Sequence, residues 1–438
     1  MARKAVWGGR RGSCREKERG PGEKRDSRRK RRRVIYISIW GIMLLLHVAA
    51  WSSKRFCDWY LACIYGIWVN TYGRAMGMIP FSVGEALIGL GAGFGAAGIL
   101  LGAVRLTDKA AERYGRAAER RGRVKTAYGN GWKRAYLTEA GRRKKLAGAY
   151  WATAMWLLLG VFALMTLNCY ILYHASGFGE MYLGSASGEY GLEELEALRN
   201  FVVEQCNALC CQLPREEGGV LSCQGNIGDM ADMAETAKGA MRQLGRTYSL
   251  LDGFYPDPKP LRSSDFMSQQ HVAGCFYPFS MEANYNDVMY VMNLPSTLCH
   301  ELAHLKGFIR EDEANLIGYL ACVQSEDIYF RYSGYLSVLY YIDNDYREAA
   351  GYERYLAAPG ILPQVHRDNI FLTPKERDRI QETALLSTGT VDAVSDQVAD
   401  VRLKLNGVAE GMASYSRVVE LLLRYYDVNG YVTVDKIP

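Results

Sequence analysis

Histidine is scarce here, with six residues in a chain of 438. The eleven cysteines show no zinc-knuckle spacing, and the adjacent pair Cys210-Cys211 fits no common metal framework. A thiolate metal module is therefore excluded. Cys206, Cys210, Cys211 and Cys223 do cluster within one expected helix and the loop after it. A disulfide, if that part faces an oxidising space, and buried free thiols both stay open for them. Acidic side chains are sparse in the first third. Residues 1–147 carry 10 Asp+Glu against 32 Lys+Arg, a net of +22; residues 148–438 carry 37 against 21, a net of −16; the two sum to the chain's +6. The modest total hides two different objects. Residues 1–33 lack any apolar run and hold 15 Lys+Arg, so a disordered cytoplasmic tail is expected there. The run Arg28–Arg33 reads as a topology signal beside a membrane span, and no nucleic-acid partner is expected. No convincing small-residue cleavage site follows, so a cleavable signal peptide is not expected.

Three apolar runs make up the basic part. Val34–Trp51 is about long enough to span a bilayer at ~1.5 Å per residue. Leu87–Val104 is uncharged and rich in glycine and alanine; Gly91 and Gly95, at fourfold spacing, suit close helix packing. Leu146–Tyr173 has Trp and Tyr near its ends, as membrane interfaces favour. Trp59–Val69 is only about half the needed length, so an interfacial or re-entrant helix is expected. Residues 106–145 carry 13 Lys+Arg against 4 Asp+Glu, which places this loop and the N-terminal tail in the cytoplasm. Three spans (about 34–51, 87–104 and 146–173) within a membrane anchor over 34–173 satisfy that bias. They put residues 174–438 outside the cytoplasm, as one extracytoplasmic domain.

In that domain Glu193–Cys211 and Ile227–Leu251 read as amphipathic helices. Gly274–Phe279 and Asp287–Asn293 read as two short strands joined through Met281–Asn286. A helix starts at Pro295 and Ser296 and stops at Gly307. A second begins near Glu311 and runs to about Tyr329; the last covers Val408–Tyr426. Helices around a small sheet predict an α+β fold with helix in excess.

The first of these central helices carries His300-Glu-Leu-Ala-His304. Positions i and i+4 of a helix point the same way, so both imidazoles reach one ion. By composition, a chance match to this pattern is expected in roughly one such chain in a hundred or fewer. Glu301 lies near that face, placed to act as general base toward a zinc-activated water. A catalytic zinc needs a third protein ligand. Arg310 stands where one zincin group has a third histidine, which excludes that group. Glu311, Asp312 and Glu313 follow directly, and carboxylates there also favour a helix N-terminus through its dipole. Glu311 is the first choice for third ligand and Glu313 the alternative. Asn315 lies one turn past Glu311 as a hydrogen-bond partner for a ligand imidazole. Tyr415 and His366 are candidates for oxyanion stabilisation, and the strand with Gly274, Phe276 and Phe279 for the edge that pairs with an extended peptide.

The arrangement Glu311-x-x-Ala-Asn315 resembles the gluzincin metallopeptidases, in which a glutamate on the helix after HExxH is the third zinc ligand. Over nearly its full length the chain resembles a bacterial family, domain of unknown function 3810. Four stretches carry that resemblance: Pro80-Phe-Ser-Val-Gly84; Phe276-Tyr-Pro-Phe279 with Glu282-Ala-Asn284; His300–His304 with Gly307 and Glu311–Asn315; and Ser414-Tyr-Ser-Arg-Val-Val419. It implies a multi-pass membrane protein with a gluzincin-like zinc site, and no substrate. The expected activity is zinc-dependent hydrolysis of a peptide or protein substrate by a membrane-anchored metallopeptidase. The alternative is a membrane sensor or binding protein that keeps Zn2+ without turnover. An intramembrane protease is excluded because the motif's flanks, among them Asn293, Lys306 and Arg310, are too polar for a spanning segment.

Overall fold

A computed structural model of the chain describes residues 21–120, 130–184, 190–215, 221, 229–384 and 417–431. The fold is helix-rich α+β, with three long apolar helices in the N-terminal part and a small sheet. The chain divides into two compact units, Met1–Leu46 and His47–Pro438. The described part of the first unit is helical and presents Val34, Ile37 and Leu45 on its surface. Its helix begins at Pro21, so residues 21–33, expected in the disordered tail, form its first turns. Residues 1–20 lie outside the described residues.

Three helices are long and apolar enough to cross a membrane: Lys30–Ser52, Val83–Ala111 and Gly141–Tyr173. They contain the three expected spans. The basic stretch 106–145 is mostly helix rather than loop. The second and third long helices run on to Arg120 and start at Asn130, and Arg143 pairs with Asp108 at 3.1 Å between them. Close packing of these two helices occurs at Gly98, where an added Cβ would stand 2.4 Å from the Tyr150 hydroxyl, and not at Gly91 or Gly95, which have open space.

Between the first two spans the chain stays helical from Lys54 to Gly77, through two π-helical turns at Leu61–Tyr65 and Val69–Gly73. This segment is two-faced. Tyr60, Leu61, Tyr65 and Val69 are buried, while Trp59 and Ile67 are exposed. Such a pattern suits a helix lying in the membrane interface.

The sheet has the order β1-β3-β2, with β1 Lys259–Pro260, β2 Gly274–Tyr277 and β3 Glu282–Tyr285. β1 runs parallel and β2 antiparallel to β3, with Gly274 opposite Tyr285 and Tyr277 opposite Glu282. Among the described residues β2 is therefore an edge strand. The second strand is not Asp287–Asn293 but Glu282–Tyr285, within the stretch expected to be a connection. Asp287–Asn293 ends in a 3-10 turn, held by Tyr290 N–H on the Phe371 carbonyl at 2.8 Å. In β3 all four residues are buried, so its two polar side chains face inward and break the expected polar-out alternation.

Helices Leu192–Gln212 and Met230–Thr247 match their expected positions. The helix that starts at Glu311 ends at Val323, short of Tyr329. Asp327 then opens a new helix, Ile328–Ala357, by accepting the backbone N–H groups of Tyr329 and Phe330 at 2.8 and 3.1 Å. The last described helix is Arg417–Asn429; residues 408–416 of the expected one lie outside the described residues. Cys206, Cys210 and Cys211 are free thiols, the first two buried, and Cys223 lies outside the described residues.

Candidate metal centre

The motif helix, Leu294–Leu305, is buried on nearly every side. It packs against β2 and β3, against helix Met230–Thr247 and against the acidic helix Glu311–Val323. Pro295 sits in its first turn, where a missing N–H costs nothing. Gly307, at φ 98°, ends it: its N–H bonds the His304 carbonyl at 2.9 Å, and the chain reverses. That reversal brings the Phe308 carbonyl back onto His304, whose Nδ1 donates to it at 2.8 Å.

The acidic helix folds back so that Glu311 meets both histidines and Gly318 meets His300. A Cβ at Gly318 would stand 3.0 Å from the His300 backbone N, so any side chain there would push the two helices apart by a few tenths of an ångström. Glu311 Oε2 lies 3.2 Å from His300 Nε2 and 3.5 Å from His304 Nε2. The two rings stand nearly perpendicular, at 87°. Together these residues form a group of potential ligand atoms within 4.8 Å of one another.

A carbonyl only accepts, so the Phe308 contact puts the proton of neutral His304 on Nδ1. Its Nε2 then presents a lone pair toward a carboxylate oxygen, and two lone pairs held 3.5 Å apart call for a positive charge between them. Tetrahedral zinc with bonds of ~2.0–2.2 Å to nitrogen and oxygen separates its ligand atoms by about 3.3 Å. The observed separations of 3.2 and 3.5 Å match, so this donor set fits zinc. Burial works to raise the Glu311 pKa, yet positive charge at the facing His304 and His300 holds it well below the usual carboxylate range.

Glu301 is buried and lies against β2: a Cβ on Gly274 would stand 2.5 Å from Glu301 Oε1. On the same face of the strand, the Phe276 ring lies 6.2 Å from the His304 ring. Gly274 and Phe276 thus border the centre. Phe279 does not belong to the strand, which ends at Tyr277. It sits in the β2–β3 turn, where its carbonyl accepts the Tyr72 hydroxyl at 2.7 Å.

Glu313, the alternative ligand, turns away from the histidines. Its carboxylate accepts the Gly179 N–H at 3.0 Å and lies 4.0 Å from Arg310. Burial pushes its pKa up to about 7 against the pull of Arg310. Asn315 is half-buried one turn beyond Glu311; the bond that orients His304 is the one to the Phe308 carbonyl. His366 is hydrogen-bonded to Tyr340 at 3.1 Å and stands outside the group. Tyr415 lies outside the described residues.

Sequence reasoning missed Gly318 and Phe308. A lone glycine inside an apolar helix was the available signal for the first. A main-chain carbonyl leaves no signal at all.

The fold and this cluster define a class: a membrane-associated, helix-rich α+β protein with a His-His-Glu group on two back-folded helices. The chain belongs to the family of proteins of unknown function DUF3810, whose profile matches residues 60–423. Comparison with curated proteins gives no match, and comparison with solved structures gives none.

Proposed function

We propose that this protein is a membrane-anchored zinc peptidase, with His300, His304 and Glu311 holding the metal and Glu301 as general base. The observation that carries this reading is the Glu311 carboxylate facing both Nε2 atoms at tetrahedral spacing. Zinc, when bound, supplies Lewis acidity toward water and toward the scissile carbonyl. Glu301 accepts a proton from the attacking water and returns it to the leaving amine as the C–N bond breaks. Its burial beside Gly274 keeps bulk water from its carboxylate. β2, as an edge strand, offers its backbone to an extended peptide beside Glu301 and His304.

Chelation of the purified full-length protein is expected to abolish hydrolysis of an unstructured protein substrate, and added zinc to restore it. Hydrolysis unaffected by a strong chelator sinks the zinc reading. Zinc that binds with no hydrolysis at all favours a zinc-keeping sensor.

The same reading places the metal domain outside the cytoplasm. The ends of the spans at Ser52, Val83 and Tyr173 lie on one side in a three-span path, and the basic ends lie on the other, where positive charge is retained. Protease added to sealed, right-side-out cells or vesicles is expected to digest the domain. Protection until detergent is added overturns this orientation.

A further inference from the structure

Resting on the peptidase reading, we propose that the site acts on membrane-anchored polypeptides and cuts them within a few residues of where they leave the bilayer. The β2–β3 hairpin connects the metal centre to the membrane segments. Near Gly274 the strand lies against Glu301; three residues on, its other end lies against the second span. An added Cβ on Gly84, the second residue of that span, would stand 2.1 Å from the Tyr277 ring.

Beyond Tyr277 the turn reaches the third span. The Pro278 carbonyl accepts the Asn168 side chain at 2.9 Å. Asn168 is fully buried and lies five residues before that span's end at Tyr173, about 7 Å along the helix. The Phe279 carbonyl accepts Tyr72, and Met281 packs on Gly73, both on the segment after the first span. At the head of β3, the buried Glu282 accepts the N–H groups of Val83 and Gly84 at 3.1 and 2.7 Å and pairs with Lys259. It thereby caps the N-terminus of the second span. From the other side, the Gly307 turn that positions His304 meets Leu61 and Tyr65. All of these contacts lie within the unit His47–Pro438.

Magnitudes set the reach. The second span has 29 residues, about 43 Å of helix, the thickness of a bilayer with its headgroups. Val83 therefore stands at headgroup level. Three strand residues cover ~10 Å, so Glu301 lies at most about that far beyond. Met78 and Phe81, just before the span, are exposed apolar side chains at the same level, suited to the interface. An extended chain leaving the bilayer covers that height in about three residues and the headgroup zone in a few more. The scissile bond therefore falls roughly three to eight residues from the substrate's own span. The reaction remains amide hydrolysis: water is the co-reactant, its hydroxyl adds to the acyl carbon, the C–N bond breaks and the amine takes the proton.

The test uses full-length protein in liposomes with three reporters. The first is a single-span helix followed directly by a pool of randomised segments of about ten residues. The second places a flexible spacer of about 30 residues between span and pool. The third is the soluble pool. Release rate and cut position are read by mass spectrometry, and only cuts absent with Glu301→Gln are counted. The expected result is release from the first reporter faster by on the order of tenfold than from the other two, with cuts in the second moved into the membrane-proximal spacer. Distal cuts in the spacer reporter, or soluble peptides cut as fast as anchored ones, overturn the substrate class while leaving the peptidase reading standing. No cut in any reporter by zinc-loaded protein overturns the peptidase reading, and this proposal with it.

Discussion

Full-length protein carrying Glu311→Ala is expected to come through dialysis without stoichiometric zinc, while Glu313→Ala keeps it. Among the described residues, Glu311 is the carboxylate that faces both imidazoles, at 3.2 and 3.5 Å. Its removal leaves two ligands, both on one helix. Loss of an outer partner of a metal ligand typically weakens binding ~10–100-fold, and loss of the ligand itself should exceed that. Glu313 lies only two residues on, yet it is committed to the Gly179 N–H and to Arg310. Its alanine variant therefore serves as a control for the local helix. Metal analysis and competition with a coloured chelator read both variants. Full zinc occupancy in Glu311→Ala removes Glu311 from the ligand set and reopens the search for the third ligand.

The second large effect is at Glu301. Glu301→Gln is nearly isosteric and fits the same space beside Gly274, so fold and zinc content should be unchanged. A positioned general base contributes ~10²–10⁴-fold to rate, and hydrolysis should fall by about that factor. A variant that loses zinc along with activity would point to a structural role. A variant that keeps activity within a few-fold of wild type removes Glu301 from the base assignment.

Both residues were legible in the sequence, because helical spacing fixes which side chains share a face before any tertiary contact is known. Glu311 was readable as the opening residue of a helix that had to fold back after Gly307. The three spans were readable because membrane insertion depends on composition and length alone. Elsewhere the determinants lie far apart in the chain. Glu282 and Asn284 made β3 look like a connection. Glu282 is buried only because Lys259 and the N–H groups of Val83 and Gly84 receive it, and Asn284 because it donates to the Cys275 carbonyl at 3.1 Å. The break between Val323 and Ile328 contains no glycine or proline; the Asp327 cap makes it, and an acidic residue in a run of mixed residues does not announce a cap. Gly91 and Gly95 have the spacing of a packing motif but open space around them among the described residues, whereas Gly98 meets Tyr150.

The turn at Pro278–Met281 has a consequence for dissection of the protein. Its carbonyls and the Glu282 carboxylate take their donors from Tyr72, Asn168, Val83 and Gly84, all upstream of residue 174. A chain beginning there keeps every residue of the metal cluster but strips these acceptors of their donors and uncovers the apolar floor beneath Gly307. Water replaces those donors, but the apolar surface laid bare costs about 25 cal/mol per Å², and a few hundred Å² of it is comparable to the whole stability of many domains. The membrane helices are thus less a tether than a foundation, and the half that carries the His-His-Glu group is expected to be an orphan without them.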